Sequence, residues 1–190
     1  MNVSRDVQLT SSNRRLVLRP YHPDDAPGVY QAVVRSKAEL SRWFDWCTPE
    51  YSIQDAEGWL QSHPGAWEDG EIYGFAIVDP DSRQFLGGCA LNRIQWDNKT
   101  ANLGYWVRTD RNGQGIASDA ALAVARFGIE RLSLRRVEII TAVQNSGSRR
   151  VAEKTGAKFE GILRQRIKIG DRNVDAAMHS LIAADLRVYS

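Results

Sequence analysis

Gly113 and Gly115 stand between an apolar, aromatic run (Gly104-Tyr105-Trp106-Val107) and a long alanine-rich stretch that opens at Ile116. That order makes a strand, a glycine turn and a helix N-terminus, which leaves several backbone N–H groups free to meet an anion. Glycine lets the turn bend and lets a ligand approach the main chain with no Cβ in the way. A phosphate or pyrophosphate is the natural guest. Two common nucleotide motifs do not fit. A P-loop needs Lys followed by Ser or Thr after its second glycine, and this chain has Ile116-Ala117 there. A dinucleotide turn wants a third glycine and an acidic residue about 20 positions on. Here the third glycine is missing, and the helix leads to the basic pair Arg135-Arg136.

The elements that must hold this loop are read from periodicity and turn chemistry. Residues 16–19 predict a first strand, closed by Pro20, and 1–13 a flexible N-terminal tail. Asp24 and Asp25 predict a helix start, with helices over 25–35, 36–45 and 51–68; Ile53, Ala56, Trp59 and Leu60 share one face of the last. A strand over 72–78 turns at 79–82 into a hairpin partner over 85–94, bent at Gly87-Gly88. A fourth strand, 101–108, runs into the glycine loop. The helix after it, from Ile116 to about Leu132, buries Ile116, Ala120, Ala123 and Phe127 and turns Asp119, Arg126 and Glu130 to water. A β-branched strand over 137–143 follows, then a short helix over 145–155 stopped by Gly156. A hairpin of 158–169 and 173–182 around Gly170-Asp171 closes the chain. The pattern is α/β, one domain over 14–190.

The loop resembles the acetyl-CoA loop of the GCN5-related N-acetyltransferases (GNAT), Gln/Arg-x-x-Gly-x-Gly/Ala. Gly115 and Ala117 match its last two fixed positions, and Asn112 replaces the first. Leu91-Asn92-Arg93-Ile94, Asn98-Lys99-Thr100-Ala101, Leu103-Gly104-Tyr105-Trp106, Asn145-x-x-Ser148 and Gly161-Ile162-Leu163 are similar to the ribosomal-protein acetyltransferase branch. The resemblance spans roughly residues 14 to 185. It implies the GNAT fold, a mixed, mostly antiparallel twisted sheet flanked by helices and splayed between the fourth and fifth strands.

It also implies a set of roles. The pantetheine arm of acetyl-CoA would run beside Trp106, Val107 and Arg108, with a strand N–H near Val107 polarising the thioester carbonyl. Its pyrophosphate would sit on the amides of Asn112, Gly113, Gln114, Gly115, Ile116 and Ala117, flanked by Arg111, Ser118 and Lys154. Asn145 would bind the pantetheine, or only cap the helix that follows. Many relatives carry a tyrosine general acid where this chain has Ala152. In the ribosomal-protein branch a serine at the position of Ser148 is proposed to protonate the leaving thiolate. The carboxylates expected of a general base are replaced by Ile167 and Asn102. Asp45, Glu138, Asp175, His179 or a chain of waters are the alternatives. Trp43, Asp45, Trp46 and Asn102 are the candidate acceptor residues. The acceptor would be a protein N-terminus or a small amine such as an aminoglycoside or polyamine. A non-catalytic acyl-CoA sensor is the competing class.

Bulk composition agrees with such an enzyme and excludes other classes. At 190 residues the chain is long enough to bury ~70% of its unfolded surface. A net charge of +2, from 25 basic against 23 acidic side chains, does not suit a nucleic-acid binder relying on phosphate neutralisation. The basic residues Arg135, Arg136, Arg149, Arg150 and Lys154 do cluster in sequence. Cys47 and Cys89 show neither a disulfide framework nor metal spacing, so reduced thiols in a cytoplasmic protein are expected, with no metal site. No apolar run approaches a membrane span, and 1–13 is too polar for a signal peptide. A monomer or homodimer is expected.

Overall fold

The computed structural model describes residues 3–11 and 16–186. Among the described residues, eight strands form one sheet: β1 (Leu9–Thr10), β2 (Val17–Pro20), β3 (Tyr73–Val78), β4 (Phe85–Gln95), β5 (Thr100–Val107), β6 (Arg136–Ala142), β7 (Lys158–Ile169) and β8 (Arg172–Leu181). Their order is β1-β2-β3-β4-β5-β6-β8-β7. Neighbours are antiparallel except β5 and β6, which run parallel. Among the described residues the α-helices are α1 (Ala26–Leu40), α2 (Ile53–Glu68), α3 (Ile116–Arg126), α4 (Ser146–Lys154) and the short α5 (Ala183–Leu186). This is the α/β GNAT fold.

Alternation along the strands builds two cores. On β3, Tyr73, Phe75 and Ile77 join the cluster under α3, while Ala76 and Val78 join the cluster under α1 and α2. Ala120, Ala121, Val124 and Ala125 let α3 lie close to the sheet. Ala123, expected inside, is half-buried. The predicted helix narrows to Ile116–Arg126, and a π-helical turn over Phe127–Arg131 completes it.

Three expectations need correction. Residues 3–11 are not a loose tail. Leu9–Thr10 pairs with Val17 and Leu18, Val3 and Val7 pack on the core, and the Trp67 indole donates to the Val3 carbonyl at 2.9 Å. Residues 1, 2, 12 and 13 of that expected tail lie outside the described residues. The two short helices expected over 25–45 are one helix ending at Leu40, so Trp43, Phe44, Asp45 and Trp46 stand on a loop. Finally, Trp59 is not on the buried face of α2. That face is Ala56, Leu60, His63 and Trp67, and Trp59 keeps 41% of its surface exposed. Ser52 fixes where α2 begins, through a reciprocal cap with Asp55.

The decisive feature is where β5 and β6 part. They pair only over Thr100–Asn102 and Arg136–Glu138. Beyond that point β5 stays with β4 and β6 stays with β8, so the facing edges diverge into an open gap. Among the described residues no helix is long and apolar enough to cross a membrane.

Candidate active site

The glycine loop delivers what its sequence promised. Gly113 and Gly115 adopt φ of +77° and +79°, backbone that favours glycine, and nothing lies within 4 Å of where a Gly113 Cβ would be. Gly115 is the N-cap of α3, and no side chain caps that helix. Its first amides are therefore available to an anion, at the positive end of the helix dipole. The chemistry of this cradle fits a pyrophosphate: Arg111 and Lys154 line the same cleft, and so does Arg150.

That cleft holds about 420 Å³ and runs along the open edge of β5 to the start of α4. Trp106, Val107, Arg111, Asn112, Gly113, Gly115, Ile116, Ala117, Ser118, Asn145, Ser148 and Lys154 all line it, so most of the expected cofactor residues converge. Two do not. Arg108 is only 8% exposed; its guanidinium is held by Asp110 at 2.7 and 3.0 Å, and its N–H donates to the Leu86 carbonyl. Gln114 is half-buried and outside the lining. Arg108 still informs the site. Successive N–H groups of a strand point to opposite edges, so with Arg108 directed at β4 the Val107 N–H faces the gap.

Asn145 caps α4, its Oδ1 accepting from the Ser148 N–H at 3.0 Å. Ser148 is thus inside the first turn, and its hydroxyl is not the cap. Instead the Tyr105 hydroxyl donates to the Ser148 carbonyl at 2.9 Å and lies 3.1 Å from Ser148 Oγ. Burial pushes the Tyr105 phenol well above its ordinary pKa; the hydrogen bond to Ser148 opposes this only in part. Sequence reasoning passed over Tyr105 as a role-bearing residue. The signal was present: strand alternation puts Tyr105 on the α3 and α4 side, opposite Trp106.

The gap itself is lined by Asp45, Asn102, Ile139, Thr141, Ser148 and Ile167, among others. Asn102 Nδ2 donates to the side-chain Oδ1 of Asn92 at 2.9 Å. Asp45 accepts the Gly170 N–H at 2.7 Å, so it ties the loop after α1 to the turn between β7 and β8. Glu138 is paired with Arg136, and Asp175 accepts the Gln165 N–H outside the gap. His179, 1% exposed, packs beside Phe159 and lines none of these cavities; burial lowers its pKa. Of the four alternatives for a base, Asp45 alone reaches the gap.

Trp46 and Trp43 separate. Trp46 faces an apolar pocket of about 510 Å³ and the gap, whereas Trp43 lines the cofactor cleft and the gap, with its indole donating to Glu39. The pocket and the cleft share Phe44, Tyr105 and Trp106, so they form one continuous trough across β5.

Known proteins fit this geometry. A ribosomal-protein-serine acetyltransferase of Escherichia coli is 30% identical over 154 residues, 81% of this chain and 85% of its own length. An uncharacterized N-acetyltransferase, p20, of Bacillus licheniformis is 27% identical over 91% of this chain and 96% of its own. The solved structure of RimL, a ribosomal L7/L12 alpha-N-protein acetyltransferase in complex with coenzyme A, superimposes with a TM-score of 0.84 at 26% identity. It covers 93% of this chain and 98% of that one. Residues 15–158 match the acetyltransferase (GNAT) domain family, and the chain belongs to that family.

Proposed function

We propose that this acetyltransferase moves the acetyl group of acetyl-CoA to the primary amine of a protein N-terminus, in the cytoplasm. One observation carries the reading: an uncapped helix N-terminus, an unpaired strand edge and a serine hydroxyl open onto a single cleft. The amides of Gly113 to Ser118 with Arg111, Arg150 and Lys154 would hold the pyrophosphate, and Asn145 would hold the pantetheine. Bound there, acetyl-CoA supplies a thioester whose carbonyl carbon accepts the amine.

The chain's own groups then have separate tasks. The Val107 N–H, directed at the gap, would stabilise negative charge on the carbonyl oxygen. Ser148 Oγ would hand its proton to the departing sulfur, and solvent would restore it. Tyr105 positions that hydroxyl: its phenol, which burial keeps protonated, donates to the Ser148 carbonyl and lies 3.1 Å from Ser148 Oγ. The amine's proton passes to water. Ile167 and Asn102 offer no base and Asp45 already accepts the Gly170 N–H on one oxygen, so in this reading the acceptor arrives deprotonated. The N–C bond forms as the C–S bond breaks.

The test is turnover with peptides bearing a free N-terminal serine or alanine, following free thiol and peptide mass together. Equal release of thiol and acetylated peptide is expected. Acetyl-CoA binding without thiol release for any peptide or small amine would instead assign the chain to acyl-CoA sensing.

A further inference from the structure

Transferring an acetyl group to a serine or alanine N-terminus calls for little room beyond the gap, yet a second cavity opens beside it. The apolar pocket is walled by Tyr21, Phe44, Trp46, Tyr51, Trp59 and Trp106, over a floor of β4 and β5 backbone. The rings form a connected wall, with centroids 6.1 Å apart for Trp46 and Trp106, 5.9 Å for Trp46 and Tyr51, and 4.6 Å for Tyr21 and Trp59. Gly88 makes the floor possible, because a Cβ there would run into the Tyr21 hydroxyl and come within 3.0 Å of the Trp106 indole nitrogen. Trp46 and Trp59 nonetheless leave 43% and 41% of their surfaces in water. Large rings that the fold itself does not bury, facing a cavity of this size, are what a ligand pocket presents.

Charge narrows the guest. Among the described residues no lysine or arginine lines the pocket, and its ionisable rim is the carboxylates of Glu50 and Asp55. The ring faces add negative potential of their own. Solvation is poor inside: burial, then Asp55 and Cys47, push the Tyr51 phenol up to about 12. Position narrows it further. The pocket shares Gly104 and Tyr105 with the gap and Trp106 with the cofactor cleft, so a group seated in it lies a few bonds from an amine in the gap.

Resting on the acetyl-transfer reading, we propose that this pocket seats the side group the acceptor carries next to its amine, and that this group is planar aromatic or branched apolar and bears no negative charge. Such a group displaces poorly held water and covers the exposed faces of Trp46 and Trp59. A small polar group leaves most of the pocket unfilled, and an anion meets Glu50 and Asp55 with no basic partner.

Three acceptors with the same kind of amine test this: phenylalaninamide, alaninamide and aspartic acid α-amide. The expected order of kcat/KM is phenylalaninamide roughly 30-fold above alaninamide, with the acidic amide lowest. Trp59→Ala should collapse the first ratio to a few-fold through the KM of phenylalaninamide, and Trp59→Phe should restore most of it. Titrating phenylalaninamide into the CoA-bound protein should change the tryptophan fluorescence at micromolar to millimolar concentration. Equal rates for the aromatic and small amides, a preference for the acidic one, or an unchanged ratio in Trp59→Ala would each overturn the proposal. No turnover with any amide, but a fluorescence response to phenylalaninamide, would sink the acetyl-transfer reading and leave the pocket assignment standing. No turnover and no response would overturn both.

Discussion

The two halves of the trough that crosses β5 are built by opposite means. The cofactor half is made of main chain: two left-handed glycines, the first amides of α3, and the edge that β5 exposes where β6 leaves it. The acceptor half is made of side chains: a loop after α1, one face of α2, and rings that touch one another rather than a backbone motif. A backbone site recognises what is common to every turnover. A side-chain site sets the choice of acceptor. A change in one half should therefore move one substrate's parameters and spare the other's.

The largest effect expected is from Gly115→Asp. It places a Cβ and a negative charge at φ +79°, where backbone amides should meet the pyrophosphate. Acetyl-CoA should raise the melting temperature of the parent and leave that of a folded Gly115→Asp protein unchanged. A shift of equal size in both would remove the division between the halves.

Next in size is Ser148→Ala. A proton given to the leaving sulfur acts mainly in the transition state, so kcat should fall by ~10²-fold with acetyl-CoA affinity nearly intact. Tyr105→Phe should cost less, ~10-fold in kcat, because it loosens the same hydroxyl without deleting it. Since Asn145 and not Ser148 caps α4, the helix-capping loss of ~1 kcal/mol belongs to Asn145→Ala. A full-speed, less stable Ser148→Ala enzyme would end the general-acid assignment.

Smaller is the pH response. With Ile167 and Asn102 in place of carboxylates and Asp45, the one carboxylate lining the gap among the described residues, tied to the Gly170 N–H, the acid limb of the rate should follow the acceptor amine's own pKa and move when the acceptor is changed. Ile167→Glu should shift that limb to lower pH. A wild-type limb fixed well below the amine pKa, whatever the acceptor, would reveal a protein base.

Smallest is a stability effect remote from both halves. Arg136 pairs with Glu160 and Glu138. Its hydrogen bonds, with one from Ser180, hold the Glu160 carboxyl at about 2, below its ordinary 4.5. A depressed carboxyl stabilises the fold above its unfolded pKa, and that contribution is lost as pH falls from about 4.5 towards 2. Because Glu160 is partly exposed, Glu160→Gln should lower stability by no more than ~1 kcal/mol at pH 7. The difference from the parent should vanish in acid denaturation curves taken near pH 2.

How much of this was legible in the sequence follows the same division. Gly113, Gly115 and the apolar run before them announce their geometry, because glycine spacing and strand-to-helix order act locally. The splay followed from the resemblance, since nothing local states that β5 and β6 part after Asn102, and the order that inserts β8 between β6 and β7 is seen only in the structure. The partners of side chains that meet residues distant in sequence were not legible. Arg108, beside the loop, turns into the fold on the Phe85 and Leu86 carbonyls, more than 20 positions back. Asp45 meets Gly170, 125 positions away. Tyr105 meets Ser148 across the gap. Trp59 was counted with the apolar face of α2, yet the buried stripe follows Ala56, Leu60, His63 and Trp67 and leaves it facing a cavity. Residues 3–11 looked too polar to dock, but Val3, Val7 and Leu9 suffice once Trp67 and Tyr21 offer partners.

The division between a main-chain half for the cofactor and a side-chain half for the acceptor is tested most directly by calorimetric titration of acetyl-CoA into Trp59→Ala beside the parent. The same dissociation constant and enthalpy are expected for both proteins, although the variant handles aromatic acceptors poorly. A tenfold or greater loss of acetyl-CoA affinity in folded Trp59→Ala would contradict it, because the aromatic pocket would then belong to the cofactor.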